Sequence, residues 1–364
     1  MSKSAILWNV GDKWTVEDVQ LTEPRAGEVL VKIAASGLCH SDDHYATGDQ
    51  PAALPVVGGH EGAGVVEAVG PGVTRVKPGD HVVLVFNVPC GDCGYCNTGH
   101  QNLCIYNPPK ADPLPPAFSA RGQAVPAIAE LGTFGEYTVV TEARCIKIAE
   151  DIPLASAALL GCAVITGWGA ATYLGEVKPG ETVVVIGSGG VGVNSLQGAR
   201  SAGADIIVAV DPVEYKREQA VRFGATHTAA SVEEASALIA EITKGAMADV
   251  AILSVGVGDG SVLQDTTRLT KPGGRTVITS VTPAASDTVK LNLFEFALSE
   301  KTLRGNVYGG TNVYRDVPLL LGLYQRGKLE LDGLITTTYA LDDINQGYAD
   351  MHAGKNLRGV LVFD

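Results

Sequence analysis

Charged side chains are scarce in this chain, and basic ones are outnumbered by acidic ones. Of 364 residues, 18% are charged, with 27 Lys and Arg against 40 Asp and Glu and a formal net charge of −13. Proteins that bind nucleic acids take most of their affinity from cationic contacts with phosphates, so the composition argues against a nucleic-acid partner. Hydrophobic residues make up 46% of the chain, which excludes a disordered protein and suffices for about two domains.

The sequence also has little that would direct it to a membrane or out of the cell. Its first apolar run, residues 5–8, is too short for the apolar region of a signal peptide. Residues 152–175 carry no charge and have the length of a membrane helix, but they contain a proline and four glycines and lack a basic flank. We interpret this segment as protein interior, with a membrane span as the alternative, and expect a cytoplasmic protein without a membrane partner.

The pattern of apolar residues changes near residue 180. Short apolar runs separated by Gly and Pro turns come first and predict strands at Val29–Ala35, Gly64–Val69 and His81–Phe86. Later strands are predicted at Thr182–Ile186, Ile206–Val210, His227–Ala229, Asp249–Ser254, Arg275–Val281 and Gly359–Phe363. Helices are predicted at Val191–Ala202, Glu214–Phe223, Glu233–Lys244, Gly260–Thr270 and Val317–Arg326. The fold class is therefore α/β, a β-rich part followed by a doubly wound parallel sheet with helices on both faces.

One segment fits neither pattern. Asn107–Ala127 holds six prolines and little periodicity, which argues against a central strand or a helix. We expect a long ordered loop, because functional loops often have this length, with an exposed linker as the alternative.

Four of the seven cysteines lie close together in the chain, at positions 90, 93, 96 and 104. Seven cysteines are too few for a disulfide scaffold, and a reducing cytoplasm would keep them as thiols, which favours metal binding. Tetrahedral zinc with four sulfur ligands fits the spacing of Cys90, Cys93, Cys96 and Cys104, and such a closed site has a structural role. An iron–sulfur cluster and unbound thiols are the alternatives. Bacterial ferredoxins, however, place their fourth cysteine after three residues and before a proline.

A second set of metal-binding residue types is dispersed. Cys39 lies in GLCHSDDH, His60 and Glu61 lie in GGHEG, and Cys162 follows Gly161. Taken singly, a cysteine is most often a small core hydrophobe and a histidine after two glycines a turn residue. Together, two thiolates and one imidazole form a catalytic zinc ligand set that leaves the fourth position open for water or substrate. Glu61 could occupy that position transiently.

A glycine-rich turn follows the predicted strand Thr182–Ile186 and opens a helix. Its sequence is Gly187-Ser188-Gly189-Gly190-Val191-Gly192, and Asp211 ends the next strand. This context is the one that dinucleotide binding requires, since the glycines let pyrophosphate approach the helix N-terminus. Asp211 would accept hydrogen bonds from the adenosine ribose and repel a 2′-phosphate, which favours NAD over NADP.

These motifs in this order resemble the zinc-containing medium-chain alcohol dehydrogenases over essentially the whole chain. The resemblance rests on GLCHSDDH, GGHEGAG, the four clustered cysteines, GCAVITG, GSGGVG, Asp211 and NLRGVLVF. It implies a GroES-like catalytic domain of residues 1–163 and 308–364 and a Rossmann NAD-binding domain of residues 164–307. A looser resemblance, through YGGTNVYRDVPLLLGLY and LDDINQGYADMHAGKNLRGVLVFD, is to the nitrosoaniline-dependent nicotinoprotein alcohol dehydrogenases. Those enzymes hold NAD(H) tightly and pass electrons to an external acceptor.

The resemblance also implies roles for residues at matching positions. It implies two zinc ions per chain, one catalytic on Cys39, His60 and Cys162 beside Glu61, and one structural on Cys90, Cys93, Cys96 and Cys104. Asp42 would orient the ligand histidine, Ser41 and His44 would form a proton relay, and Phe86 would line the substrate pocket. The implied contacts to NAD are His40, Thr166, Gly187, Gly189, Gly190, Val191, Gly192, Asp211, Lys216, Val281 and Arg358.

The implied reaction is oxidation of an alcohol to an aldehyde or ketone. Zinc lowers the pKa of a bound hydroxyl, and Ser41 would pass its proton through the nicotinamide ribose to His44 near solvent. Thr166 and Val281 would hold the ring that receives the hydride. Two features depart from the family pattern: Pro212 removes a backbone donor beside the ribose, and residues 107–127 have no match. Cys145 is interpreted as an inert core thiol.

Two other functions remain open at this point. One is a formaldehyde dehydrogenase acting on a hydroxymethyl adduct of glutathione or mycothiol, which would share the zinc and NAD motifs. The other is a catalytically silent protein that binds zinc and NAD. The expected partners are a small alcohol or aldehyde, an external electron acceptor and further copies of the chain in a homodimer or homotetramer.

Overall fold

The computed structural model describes residues 2–105, 115–258 and 260–364. These residues form two compact units, one of Met1–Cys162 with Asn312–Asp364 and one of Ala163–Thr311. The predicted domain borders follow residues 163 and 307, and the borders between the compact units follow residues 162 and 311; the assignment of the two domains stays a prediction.

Eighteen strands and eleven α-helices are found in the described part of the chain. The strands are β1 (Ser2–Leu7), β2 (Thr15–Leu21), β3 (Glu28–Gly37), β4 (Val56–Val57), β5 (Gly62–Val69), β6 (His81–Leu84), β7 (Phe118–Ala120), β8 (Gln123–Val125), β9 (Tyr137–Thr141), β10 (Cys145–Lys147), β11 (Thr182–Ile186), β12 (Ile206–Val210), β13 (His227–Ala229), β14 (Ala248–Leu253), β15 (Thr270–Ile278), β16 (Thr302–Gly305), β17 (Ile335–Tyr339) and β18 (Arg358–Val362). The helices are α1 (His40–Thr47), α2 (Gly94–Asn97), α3 (Leu154–Ala158), α4 (Ala163–Gly169), α5 (Gly190–Ser201), α6 (Glu214–Arg222), α7 (Val232–Ile242), α8 (Gly260–Arg268), α9 (Leu293–Leu298), α10 (Val313–Gln325) and α11 (Ile344–His352).

The first unit is built on two sheets. One has the order β4-β1-β2-β7-β8, and the other has the order β10-β6-β5-β3-β18-β17 with β9 also paired to β3. An aromatic cluster supports this unit, in which Trp14 meets Phe134 edge to face and stacks on Tyr348. The long strand β3 is the central support of the site, because it pairs with β5, β9 and β18 and leads directly into Cys39.

The second unit contains one parallel sheet of order β13-β12-β11-β14-β15-β16. Its central strand β11 is TVVVI and is buried along its whole length, as expected for a strand covered on both faces. The predicted α/β fold class, with a β-rich part and a parallel sheet, is confirmed. The ranges predicted for β11, β12 and β13 match the structure residue for residue.

The prediction of a long loop at Asn107–Ala127 is wrong in its second half. Residues 107–114 lie outside the described residues, whereas β7 and β8 form a hairpin between residues 118 and 125. The prolines at positions 115, 116 and 126 flank this hairpin, so every strand residue retains its N–H donor. Arg121 and Gly122 both adopt positive φ at the turn, which is the geometry of a tight two-residue hairpin.

The uncharged segment 152–175 folds as a bent succession of short helices. Within residues 2–105, 115–258 and 260–364, no single helix has the length and apolarity to span a membrane. One bent pair, Leu154–Gly161 with Ala163–Leu174, meets both criteria only when its two parts are taken together. Apolar residues of this pair, among them Leu159, Leu160 and Ile165, are fully buried in the protein.

Candidate metal and cofactor sites

The dispersed ligand residues of the sequence come together in the first unit. Cys39 precedes α1 in an extended conformation, His60 and Glu61 precede β5, and Cys162 follows a short 3-10 turn. One potential ligand atom from each of Cys39, His60, Glu61 and Cys162 lies within 4.8 Å of the others, and all four residues are buried. Gly37, at the end of β3, is required here because a Cβ would overlap the Glu61 carboxylate.

Asp42 determines which nitrogen of His60 faces the ligand cluster. Its carboxylate oxygen Oδ2 lies 3.0 Å from His60 Nδ1, while Oδ1 accepts a hydrogen bond from the Gly59 N–H at 3.0 Å. His60 Nε2 is buried and has no hydrogen-bond partner among the residues described. A buried imidazole nitrogen without a hydrogen-bond partner, in a residue beside two thiols and a carboxylate, is the donor that a zinc ion takes.

The electrostatics of the cluster favour ionisation of one of its two thiols, that of Cys39, and raise the pKa of Cys162 well above its usual value. The Cys162 thiol, together with His60 and Arg358, holds the pKa of Cys39 well below its usual range despite burial. Burial opposes a charge on His60, but the carboxylate of Asp42 and the thiolate of Cys39 outweigh it and raise the pKa of the imidazole. A cation placed in this cluster would therefore meet an already formed thiolate.

Glu61 is held on the far side of the cluster by Arg358. The Arg358 guanidinium donates a hydrogen bond to the Glu61 carboxylate, and both side chains are buried. Burial raises the pKa of Glu61 to about 7, although the Arg358 charge opposes that shift. The contact of Arg358 with the pyrophosphate of NAD stays a prediction. In the structure, Arg358 is paired with the Glu61 carboxylate.

The four clustered cysteines form a separate site in the same unit. The sulfurs of Cys90 and Cys96 are 3.9 Å apart, as are those of Cys93 and Cys104. Four sulfurs placed tetrahedrally ~2.3 Å from a zinc ion would be about 3.8 Å from one another. The backbone N–H of Cys96 lowers the pKa of Cys93 to about 6, whereas burial raises that of Cys96 to about 12. A bound cation is therefore needed for all four thiols to be ionised at the same time.

The glycine-rich turn of the second unit links β11 to α5. Gly187 has a φ of +92°, and a Cβ there would overlap the backbone of Ser254, so only glycine fits. The carboxylate of Asp211, at the end of β12, accepts hydrogen bonds from the N–H groups of Ser188 and Val213, each at 2.9 Å. The N–H of Val213, the residue after Pro212, is thus bonded to the Asp211 carboxylate.

The two relay candidates lie on one side of α1. Ser41 lies in the first turn of this helix and His44 three residues later, so their side chains are neighbours. The sequence analysis expects His44 near solvent, which is wrong, since the His44 side chain is only 2% exposed. Its Nδ1 lies 3.0 Å from Asp49 Oδ2, because the chain folds back over the helix end.

Both parts of the chain match known family models. Residues 25–150 match the alcohol dehydrogenase GroES-like domain, and residues 190–323 match the zinc-binding dehydrogenase domain. The NDMA-dependent alcohol dehydrogenase of Amycolatopsis methanolica is 46% identical, with 99% of this chain and 98% of that protein aligned.

The chain belongs to the zinc-containing medium-chain alcohol dehydrogenase family. It is accordingly an enzyme that uses zinc and NAD and acts on small alcohols and aldehydes. S-(hydroxymethyl)glutathione dehydrogenase of Paracoccus denitrificans is 36% identical to this alcohol dehydrogenase over the full length of both chains. The crystal structure of benzyl alcohol dehydrogenase from Acinetobacter calcoaceticus superimposes on it with a TM-score of 0.89 at 32% identity, covering 100% of this chain and 99% of that one.

Other residues that the family resemblance singles out lie in both units of the dehydrogenase. The ring of Phe86 meets that of His60 edge to face at 5.7 Å, beside the ligand cluster. Burial lowers the pKa of His40, and its contact with the pyrophosphate of NAD stays a prediction. In the second unit, Thr166 lies in α4 and Lys216 in α6, and Val281 accepts a backbone hydrogen bond from Gly258.

Sequence reasoning missed two partners of the dehydrogenase site. The first is the pairing of Glu61 with Arg358, which are 297 residues apart and carry no joint motif. The second is Asp49 beside His44. A local pattern could have found it, because Gly48 ends α1 in the left-handed conformation and turns the next residue back toward the helix.

Proposed function

We propose that this enzyme is a nicotinoprotein alcohol dehydrogenase that oxidises an alcohol to an aldehyde or ketone while retaining NAD(H) through turnover. The observation that carries the proposal is the buried set of Cys39, Cys162 and His60, whose potential ligand atoms lie within 4.8 Å of one another, with His60 Nε2 unpartnered among the described residues. The 46% identity to an NDMA-dependent alcohol dehydrogenase supports the subclass.

The residues of the ligand cluster have distinct parts in this proposal. The two thiolates and His60 Nε2 hold a catalytic zinc ion, which when bound acts as a Lewis acid toward the alcohol oxygen. Asp42 keeps the His60 ring oriented through Nδ1. Glu61 is a carboxylate that could occupy the fourth position on the zinc transiently, and its ion pair with Arg358 restrains it.

The proton-handling residues come from α1. Ser41 receives the hydroxyl proton of the alcohol, and His44 accepts it at a later point, since an imidazole exchanges protons near neutral pH. The cysteines at positions 90, 93, 96 and 104 hold a second, structural zinc, for which their mutual distances of 3.9 Å fit.

Cofactor choice is proposed to rest on Asp211. Replacing Asp211 by asparagine keeps a hydrogen-bond acceptor but removes the charge that repels a 2′-phosphate. We expect the preference for NAD over NADP to fall on the order of 10-fold, corresponding to ~1.4 kcal/mol. The measurement is the ratio of the two dissociation constants, determined by calorimetry on enzyme stripped of nucleotide.

The matched control for that experiment is Asp205→Ala, because Asp205 is an exposed acid just before β12, at the opposite end from Asp211. It removes the same charge without approaching the glycine-rich turn. An unchanged nucleotide preference in Asp211→Asn would show that selectivity is set elsewhere.

Tight retention of the cofactor is tested by the near-ultraviolet spectrum of exhaustively desalted enzyme. We expect a reduced-nicotinamide band that survives desalting and disappears when an aldehyde is added. The expected alcohol turnover then needs an artificial acceptor and no added NAD. Absence of the band, with turnover only when NAD is supplied, would refute the nicotinoprotein subclass and leave an ordinary zinc alcohol dehydrogenase.

A second candidate is a thiol-adduct formaldehyde dehydrogenase, favoured by the full-length identity of 36% to the Paracoccus enzyme. It differs in requiring a thiol to form its substrate. Formaldehyde oxidation that depends on glutathione or mycothiol, with no oxidation of simple alcohols, would select this candidate.

The remaining parts of the proposal concern the cellular setting. An external electron acceptor is proposed as a partner of the enzyme, which works as a homodimer or homotetramer. A cytoplasmic location is proposed because four clustered thiols at metal-ligand spacing persist best in a reducing compartment.

A further inference from the structure

A histidine–carboxylate pair lies outside the metal clusters, at the carboxyl end of α1. His44 Nδ1 is 3.0 Å from Asp49 Oδ2, and the same oxygen accepts a hydrogen bond from Thr47 Oγ1 at 2.8 Å. Gly48 ends the helix with a φ of 82°, and the Gln50 N–H then donates to the His44 carbonyl at 3.1 Å. Asp49 is thus fixed by backbone geometry as well as by its side-chain contacts.

The two nitrogens of His44 have different surroundings. Nδ1 faces the Asp49 carboxylate, while Nε2 is buried without a hydrogen-bond partner within residues 2–105, 115–258 and 260–364. The Asp49 side chain is 21% exposed, against 2% for His44. A carboxylate accepts hydrogen bonds only, so the neutral imidazole that pairs with it carries its proton on Nδ1 and leaves the Nε2 lone pair free.

The other ionisable groups near His44 have partners or environments of their own. His40 lies one turn earlier on α1, and its pKa is lowered chiefly by burial. Asp43 is adjacent in sequence, but its Oδ2 lies 2.7 Å from His352 Nε2 on α11. The hydrogen bonds from His44 and Thr47 hold the pKa of Asp49 below its usual value, so this carboxylate is charged at neutral pH.

We propose that Asp49 is a positioning residue for His44, holding the imidazole in the tautomer that accepts the alcohol-derived proton at Nε2. The proposal rests on the proposed function for the source of that proton. One proton is gained at Nε2 and is lost to water in a later step that must expose this buried nitrogen, while Nδ1 keeps its proton and Asp49 stays ionised. The carboxylate also stabilises the imidazolium form, as a carboxylate behind a catalytic histidine does.

The test compares wild type with Asp49→Asn by NMR of protein labelled with ¹⁵N-histidine, using His44→Gln to assign the His44 signals. In wild type, we expect a neutral His44 protonated on Nδ1. In Asp49→Asn, the amide can donate to Nδ1, so the proton moves to Nε2.

Two further variants separate positioning from folding. Asp49→Glu retains a carboxylate and is expected to restore the Nδ1-protonated tautomer. Thr47→Val removes the hydroxyl bonded to Asp49 but not the carboxylate, and should leave the Nδ1-protonated tautomer of His44 in place. An unchanged tautomer of His44 in Asp49→Asn would overturn the positioning role.

The kinetic arm distinguishes this proposal from the proposed function. The rate of alcohol oxidation by Asp49→Asn is expected to fall near neutral pH relative to wild type. If the NMR signals of His44 change but the pH profile of the rate does not, the link to proton transfer would be overturned. Wild-type enzyme that oxidises no alcohol would instead refute the proposed function, while the NMR comparison would still decide the tautomer.

Discussion

Replacing His60 by alanine is expected to reduce alcohol oxidation at least about 10³-fold, because a bound metal contributes several kcal/mol of charge stabilisation and each 1.36 kcal/mol is tenfold in rate. His60 supplies the single imidazole of the buried cluster, and its Nε2 has no other partner among the residues described. Without it, two thiols and a carboxylate already paired with Arg358 remain. The zinc content is expected to fall from two ions per chain to one, measured by atomic emission alongside turnover.

The control for His60→Ala is Cys145→Ala. Cys145 is a buried thiol in β10, and burial raises its pKa to about 12, as for a cysteine without a metal partner. Its replacement should leave both zinc ions and most of the activity in place. Full zinc occupancy in His60→Ala, or turnover within tenfold of wild type, would contradict the proposed ligand set.

Replacing Cys96 by serine is expected to lower the free energy of unfolding by at least about 3 kcal/mol, because a structural zinc contributes directly to folding. Cys96 is buried in the four-cysteine site, with its sulfur 3.9 Å from that of Cys90. The expected results are loss of the structural zinc, a lower melting temperature and earlier unfolding in denaturant. Chelation of wild-type protein should reproduce the same shift.

A variant in the same segment provides the matched comparison. Thr98→Ala removes exposed hydroxyl contacts with Gly94 and Tyr95 but touches no sulfur, so its stability should stay close to that of wild type. Equal stability of Cys96→Ser and Thr98→Ala would contradict a structural metal at this site. Visible absorption with iron in place of zinc would instead establish the iron–sulfur alternative.

Local sequence patterns indicated several strands and the four-cysteine site. The strand ranges of β11, β12 and β13 follow from β-branched runs bounded by turn residues, and they match the predicted ones. The four-cysteine site depends on a spacing within one short segment, so its members are close together whatever the rest of the fold does. The family, and with it the α/β class, followed from the order of such motifs along the chain.

The sequence alone indicated the dispersed ligand cluster only as a set of metal-binding residue types. Cys39, His60 and Cys162 are far apart in the chain, and no spacing rule says that they meet. Their assignment as zinc ligands came from the resemblance and stays a prediction, although the structure brings their side chains within ligand distance of one another.

Tertiary packing alone decided the environment of each reactive group. Arg358 reaches Glu61 because β18 pairs with β3 beside β5, a sheet order that no local pattern encodes. His44 is buried rather than solvent-facing because burial depends on what packs over α1 and not on the helix sequence. The hairpin at residues 118–125 likewise forms because β2 offers an edge to pair with. Motifs identify the chemistry of a side chain, whereas its charge state and partners depend on long-range contacts.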